Sequence, residues 1–341
     1  MLSKYQYPAT CCILLLLSMV FSACEALFIE PDPKNNSRQN LEILWKTVDE
    51  KYSFFELKNI DWDEVKERYI ARIPNREMRE EELFDLLADM LFELEDGHVN
   101  LISDFDVSRN WLWYLDYPPN FNWNIIERNY LGDDYRIAGP FRTKQIGNVG
   151  YIHYDSFMSD ISTDVLDRLL NSYQGTSGLI IDLRNNQGGL LLNSDLLMSH
   201  FVSEKYLAGY VRYKEGPGHQ DFSRPIPHYI EPEDDIYIYT KPVVILTNRQ
   251  VYSAANIFTA MMQQLPNVRV VGDFTGGGGG APISSELPNG WRYRFSTNQF
   301  LNAAQEQIEE GIAPDFRVDM LPEDEAAGVD TILEFALTLF M

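Results

Sequence analysis

From residue 148 onward the chain alternates short strand-like runs with amphipathic ones, and this alternation limits the fold more than any other feature. Gly178-Leu179-Ile180-Ile181-Asp182-Leu183, Val243-Val244-Ile245-Leu246 and Val268 to Val271 are apolar runs of strand length, and Val149 to His153 is a fourth strand candidate. Short apolar runs bounded by chain breakers read as strands buried on both faces. Between them, Val165, Leu166, Leu169 and Leu170, then Leu190 to Val202, then Ser253 to Leu265 carry apolar residues at helical spacing. The succession predicts an α/β fold, a largely parallel or mixed sheet with helices packed on it. Tyr206 to Pro242 predicts a β-rich insertion with long loops.

The front of the chain differs. Leu41, Leu44, Trp45, Val48 and Tyr52 repeat at three to four, as do Leu83, Leu86, Leu87, Met90, Leu91 and Leu94. That period predicts a helical N-terminal domain over 38–100. Residues 101–147 are aromatic and turn-rich, with Trp111, Trp113, Tyr117, Phe121 and Trp123 among them. They predict an irregular connecting segment packed over the domain at 148–341.

Residues 1–24 read as a secretory signal. Lys4 precedes an apolar core, Ile13 to Phe21, too short to span a bilayer, and Phe21-Ser22-Ala23-Cys24 follows. Cys24 after Ser22-Ala23 resembles a bacterial lipoprotein processing box, in which that cysteine is lipidated and begins the mature chain. Residues 25–37, with Pro31, Pro33, Asn35 and Asn36, predict a polar tether. The three cysteines are Cys11, Cys12 and Cys24. None is expected to remain for an internal disulfide, a zinc site or a thiol nucleophile. The formal net charge of -23 argues against a nucleic-acid partner, which needs clustered Lys and Arg, and against a polybasic membrane patch. Membrane contact is expected through the lipid anchor alone.

Thr247-Asn248-Arg249-Gln250-Val251-Tyr252-Ser253-Ala254-Ala255-Asn256 sits where a strand hands over to a helix. Serine there is either a helix cap or a nucleophile whose neighbouring backbone N–H groups face a substrate. The remaining motifs weigh on that choice. They are Asp96-Gly97-His98, Gly150 to Phe157, Gly178 to Gly189 with its ending Arg184-Asn185-Asn186-Gln187-Gly188-Gly189, Gly272-Asp273-Phe274-Thr275-Gly276, and Gly311-Ile312-Ala313-Pro314-Asp315.

In their order and spacing these segments resemble the tail-specific (C-terminal processing) peptidase superfamily over roughly residues 38–341. The resemblance implies a crotonase-like ββα catalytic core with a helical N-terminal domain, and Ser253 as nucleophile. One branch of that superfamily draws its base from a lysine about two dozen residues after the serine. Phe274 to Gly280 holds none, and no lysine follows Lys241. The other branch, similar to the tricorn core protease, uses a histidine ahead of the sheet, and His98 stands there. Histidine is basic near neutrality without heavy perturbation. In the tricorn-like pattern a serine precedes that histidine; here the residue is Gly97. The pattern also implies a glutamate that completes the hydrogen-bond chain to the histidine, and Glu309 and Glu310 both stand before Gly311. Ala254 supplies one expected oxyanion donor, and Gly188 or Gly189 the other. The stretch between His98 and Gly150 is too short for an inserted PDZ module.

No histidine or acid cluster has metal-ligand spacing, so no metal is expected. The glycine run Gly276 to Gly280 lacks the ending of a phosphate loop, so no nucleotide or other cofactor is expected either. The expected protein is a lipid-anchored serine peptidase of the bacterial cell envelope, on its periplasmic or surface face, acting on peptides or unfolded protein segments through an acyl-enzyme. A homo-oligomer is compatible with the sequence. The alternative is an inactive member of the same fold that binds an apolar ligand or peptide against the aromatic segment.

Overall fold

The computed structural model describes residues 33–341. The signal at 1–24, the lipidation site Cys24 and most of the tether lie outside the described residues. The last two tether residues already belong to the fold. Asn36 caps a helix, accepting from the Gln39 N–H, and Ser37 is its first residue.

The front module consists of helices Ser37–Lys51, Trp62–Ile70 and Glu80–Phe92, with a single turn at Phe55–Lys58. Each buries one stripe. Leu41, Leu44 and Val48 meet Trp62, Val65 and Tyr69 from the second helix and Leu83, Leu87, Met90 and Leu91 from the third. Asp61 caps the second helix through the Glu64 N–H.

Thirteen strands follow: β1 (Asn100–Ile102), β2 (Arg136–Ala138), β3 (Phe141–Ile146), β4 (Val149–His153), β5 (Gly178–Asp182), β6 (Tyr206–Tyr213), β7 (Ile226–Ile230), β8 (Val243–Thr247), β9 (Val268–Gly272), β10 (Pro282–Glu286), β11 (Arg292–Ser296), β12 (Asn298–Leu301) and β13 (Phe316–Arg317). The main sheet runs β13-β9-β8-β5-β4-β3-β2. Its centre, from β13 to β4, is parallel, and β3 and β2 add antiparallel strands at one edge. Burial on both faces explains the apolar runs. Leu179, Ile181, Val243 and Ile245 face one core with helices Thr163–Asn171, Leu191–Ser199 and Ala254–Met262. Ile180, Val244 and Leu246 face a second core with Ile332, Leu333 and Ala336 of the helix Thr331–Thr338. The mixed α/β expectation therefore holds.

Segment 101–147 departs from its reading as irregular. It contains most of β1, a short helix Trp123–Ile125 that runs into a π-helical turn Ile126–Leu131, and the last two strands of the main sheet, β3 and the edge strand β2. The polar run Arg142-Thr143-Lys144-Gln145 gave β3 no apolar signature, because this strand, one in from the sheet edge, is only partly buried. The expected insertion after Tyr206 forms the antiparallel pair β6 and β7, and β6 also pairs with the distant β12.

A third sheet, β1-β11-β10, joins the two ends of the chain. Asn100 faces Arg294, Leu101 faces Tyr293 and Ile102 faces Arg292. The hairpin packs Leu287, Trp291, Tyr293 and Phe295 into the helical front core. A piece of sequence nearly two hundred residues downstream thus completes the N-terminal module.

Candidate active site

The strand-to-helix turn after β8 is tied down by Asn248. Its Oδ1 accepts the N–H groups of Asn185 and Gln250, and its Nδ2 donates to the Pro119 carbonyl. Tyr252 N–H donates to the Asn186 carbonyl and Ser253 N–H to the Gly277 carbonyl. Held from both sides, Ser253 adopts φ 55° and ψ -124°, a region that residues with a Cβ rarely occupy. Helix Ala254–Met262 begins at the next residue, yet the Ser253 side chain makes no capping hydrogen bond. The helix-cap reading is thus set aside by geometry. Ser253 Oγ instead lies 2.9 Å from Nε2 of His98, across 155 residues of sequence.

His98 comes from the turn after helix Glu80–Phe92. Asp96 shapes that turn: its Oδ1 accepts the His98 backbone N–H at 2.7 Å, and its carbonyl accepts from Val99. On the far side of the ring, Nδ1 is 3.4 Å from Ser296 Oγ and 3.7 Å from Asp96 Oδ1. An Nδ1–H facing these oxygens leaves the Nε2 lone pair toward Ser253. Asp96 also accepts hydrogen bonds from the hydroxyls of Tyr52, Tyr252 and Ser296. Burial pushes its carboxyl up, but the Lys58 ammonium, the His98 ring and these donors outweigh it and hold it below the ordinary carboxylate value. Burial lowers the His98 pKa below the ordinary 6.5. Asp96 opposes the shift, and the positive charges of Arg294 and Lys58 add to it.

The glycine before the histidine has a steric reason. A Cβ on Gly97 would stand 2.3 Å from Cζ3 of Trp113 and 3.1 Å from Cζ of Tyr252. Trp113 stacks on Tyr252 with centroids 3.8 Å apart, and its Nε1–H donates to the Arg249 carbonyl. The indole fills the space that a serine would need, and the hydroxyl beside the histidine comes from Ser296 on β11 instead.

Of the two glutamates, Glu309 is buried and Glu310 exposed. Glu309 accepts the Gly279 N–H at 2.7 Å and lies 3.3 Å from the Lys58 ammonium. Burial, with the Asp96 charge nearby, raises its pKa to about 8. Neither glutamate hydrogen-bonds His98; Asp96 occupies the place at the ring where a glutamate-linked chain was expected.

Among the oxyanion candidates, the Gly188 N–H already donates to Asn186 Oδ1. The N–H groups of Ala254 and Gly189 have no acceptor among the described residues. Gly188 still has to be glycine, since a Cβ there would meet Tyr252 O at 2.6 Å and Ala254 N at 2.8 Å. Asp182 and Arg184 of the same motif serve the scaffold. Fully buried, Arg184 bridges Asp182 and Asp330, the latter capping the helix Thr331–Thr338. Ser253 and His98 open onto a cleft of about 680 Å³ whose walls include Met158, Gln187, Gly189 and Arg294. No cluster of three or more metal-binding side chains occurs among the described residues.

Sequence reasoning missed the roles of Asp96, Ser296 and Trp113. Asp96 could have been found, two residues before the histidine, where a turn-forming acid reaches back to the ring. Ser296 carries no local signal, because only the β1–β11 pairing brings it near.

The sequence model of Peptidase family S41 matches residues 148–318, half of the chain. The chain belongs to peptidase family S41. The Tricorn protease C1 domain matches residues 33–92 of this S41 chain. It is 29% identical over 199 residues to the carboxy-terminal processing protease CtpA of Bacillus subtilis, which covers 57% of this chain and 40% of CtpA. The S41 chain thus spans less than half the length of that curated relative. A crystal structure of a candidate peptidase from Parabacteroides merdae is 46% identical and superposes with a TM-score of 0.85, covering 90% of this chain and 98% of that one. The structure of mature CPAF, 12% identical with a TM-score of 0.66 over 89% of this chain and 96% of that one, shares the fold.

Proposed function

We propose that the protein hydrolyses peptides or unfolded protein segments with Ser253 as nucleophile and His98 as general base. The observation that carries this reading is the 2.9 Å approach of His98 Nε2 to Ser253 Oγ at a strained turn opening onto a cleft. His98 takes the hydroxyl proton as Oγ attacks the carbonyl carbon, then hands it to the leaving amine. The free N–H groups of Ala254 and Gly189 receive the oxyanion, and water releases the acyl-enzyme. Asp96 and Ser296 orient the ring and stabilise its protonated form. Glu309 acts at one remove, by holding the Gly279 N–H and standing beside the Lys58 ammonium, whose charge reaches Asp96, and Glu310 takes no part.

The competing reading, an inactive scaffold with an apolar ligand against the aromatic segment, has little support. Trp113 is already packed on Tyr252, and the cavity beside Trp111 and Tyr117 is also lined by Lys58, Glu95, Asp116 and Arg249.

A fluorophosphonate probe should label Ser253, and Ser253→Ala should lose labelling and at least about 1000-fold in peptide hydrolysis. Wild-type cleavage rates in the folded variant would discard the mechanism. We further propose that lipid on Cys24 holds the enzyme at the cell envelope. Cys24→Ala should then release it from the membrane fraction, and a variant that stays there argues otherwise.

A further inference from the structure

Several arginines elsewhere in the fold are paired. Arg142 meets Asp155, Arg184 meets Asp182 and Asp330, and Arg249 and Arg317 meet Asp273. Arg294, half-buried in the cleft wall, has neither an ion-pair nor a hydrogen-bond partner among the described residues. Its place follows from register. On β11 it lies two residues from Ser296, so both project from the same face, about 7 Å apart along the strand. Ser296 reaches His98. Directly across from Arg294 stand Asn100 on β1 and Ser284 on β10. Asn100 is only 8% exposed, and its Oδ1 has no donor. An unpaired cation and an unpaired buried acceptor therefore sit side by side, next to the reacting pair.

Arg294 lacks what a peptide carries. A guanidinium offers a planar fork of donors that matches a carboxylate, while Asn100, outside the cleft lining and with its Oδ1 buried, backs the arginine from the neighbouring strand. Asp155, the carboxylate that also lines the cleft, is held by Arg142 and leaves Arg294 uncompensated. The chain as a whole carries a formal charge of -23, so its far field repels acidic ligands. A lone positive group in the cleft then discriminates locally.

We propose that Arg294 is a specificity-determining residue that receives a carboxylate of the peptide substrate within about three residues of the scissile bond. The carboxylate is either an Asp or Glu side chain or the chain's own C-terminus. This rests on the serine-peptidase reading of the same cleft.

The test uses fluorogenic peptides in matched pairs: Asp against Asn and Glu against Gln at each of three positions on either side of the cleaved bond, and a free against an amidated C-terminus. The readout is the kcat/KM ratio within a pair, so a general loss of activity cancels. Wild type should favour the carboxylate by about 10- to 100-fold in one pair, the worth of a charge-assisted hydrogen bond. Arg294→Gln should bring that ratio within about 3-fold of unity, Arg294→Lys should keep part of it, and Arg294→Glu should turn the preference toward Lys-bearing peptides. The responding pair tells side chain from terminus. A wild type indifferent to every carboxylate, or a preference that survives in Arg294→Gln, overturns the proposal. Fluorophosphonate labelling of Ser253 keeps the two readings apart. If Ser253 is unlabelled and nothing is cut, the same pairs are scored by fluorescence anisotropy as ligands of the wild-type and Arg294→Gln proteins. The same ratio then decides the assignment of Arg294 without the chemistry.

Discussion

At the scale of single residues, Gly97 and His98 make opposite demands on one small volume. The imidazole needs a polar neighbour, yet Trp113 leaves no room for a side chain at 97. Gly97→Ser should therefore not restore a tricorn-like arrangement. It should cost about 1–3 kcal/mol through overpacking and lower turnover. Combined with Trp113→Ala, it should cost less, which a double-mutant cycle of melting temperatures would reveal. The titration of His98 gives a second expectation. The ring must be neutral to act as base, and burial favours the neutral form, so kcat/KM should rise with pH through a midpoint below 6.5. Asp96→Asn removes an attraction for the protonated ring. The midpoint should move further into acid while kcat falls by about 100-fold or more. A midpoint that moves to higher pH would contradict the assignment of Asp96.

At the scale of elements, the decisive piece is the hairpin of β10 and β11. Tyr293 and Phe295 are fully buried in the helical front core, while Ser296 at the end of the same strand reaches His98. Phe295→Ala should cost about 3–5 kcal/mol. It should also slow fluorophosphonate labelling at a temperature where the protein remains folded, since β11 sets the His98 environment. Labelling at the wild-type rate would separate packing from catalysis. The hairpin also marks the limit of what was legible in the sequence. Central strands such as β5 and β8 announced themselves because both faces are apolar, and Ser253 and His98 were legible because each sits at an element end inside a recognisable motif. Ser296, Arg294 and Asn100 meet only through a pairing between strands nearly two hundred residues apart, and no local pattern encodes such a meeting. The strand β3, one in from the sheet edge, was missed for a different reason: its residues are too polar to be told from a loop.

At the scale of the whole molecule, the protein keeps several ionisable groups in its interior, among them Asp96, Glu309 and Asp182. Glu309 gives this a measurable consequence. Its folded pKa of about 8 exceeds the ordinary 4.5, so the folded state binds its proton more tightly than the unfolded chain does. This group's contribution to stability is fully present below about pH 4.5 and is lost as pH rises toward 8. Glu309→Gln, which mimics the protonated acid, should match wild type near pH 4.5 and exceed it by roughly several kcal/mol above pH 8 in urea unfolding. An advantage that shrinks with rising pH would show that the Lys58 pairing dominates instead.

Because residues 282–296 wall the front module while the proposed nucleophile belongs to the back, the two regions form one heritable unit. A chimaera joined near residue 148, with its front half taken from a distant relative, would inherit a β1 that has never met its β11. Its serine would be intact and its histidine present, but misaligned. Exchange between such genes is therefore expected to preserve function only when the late hairpin travels with the early helices.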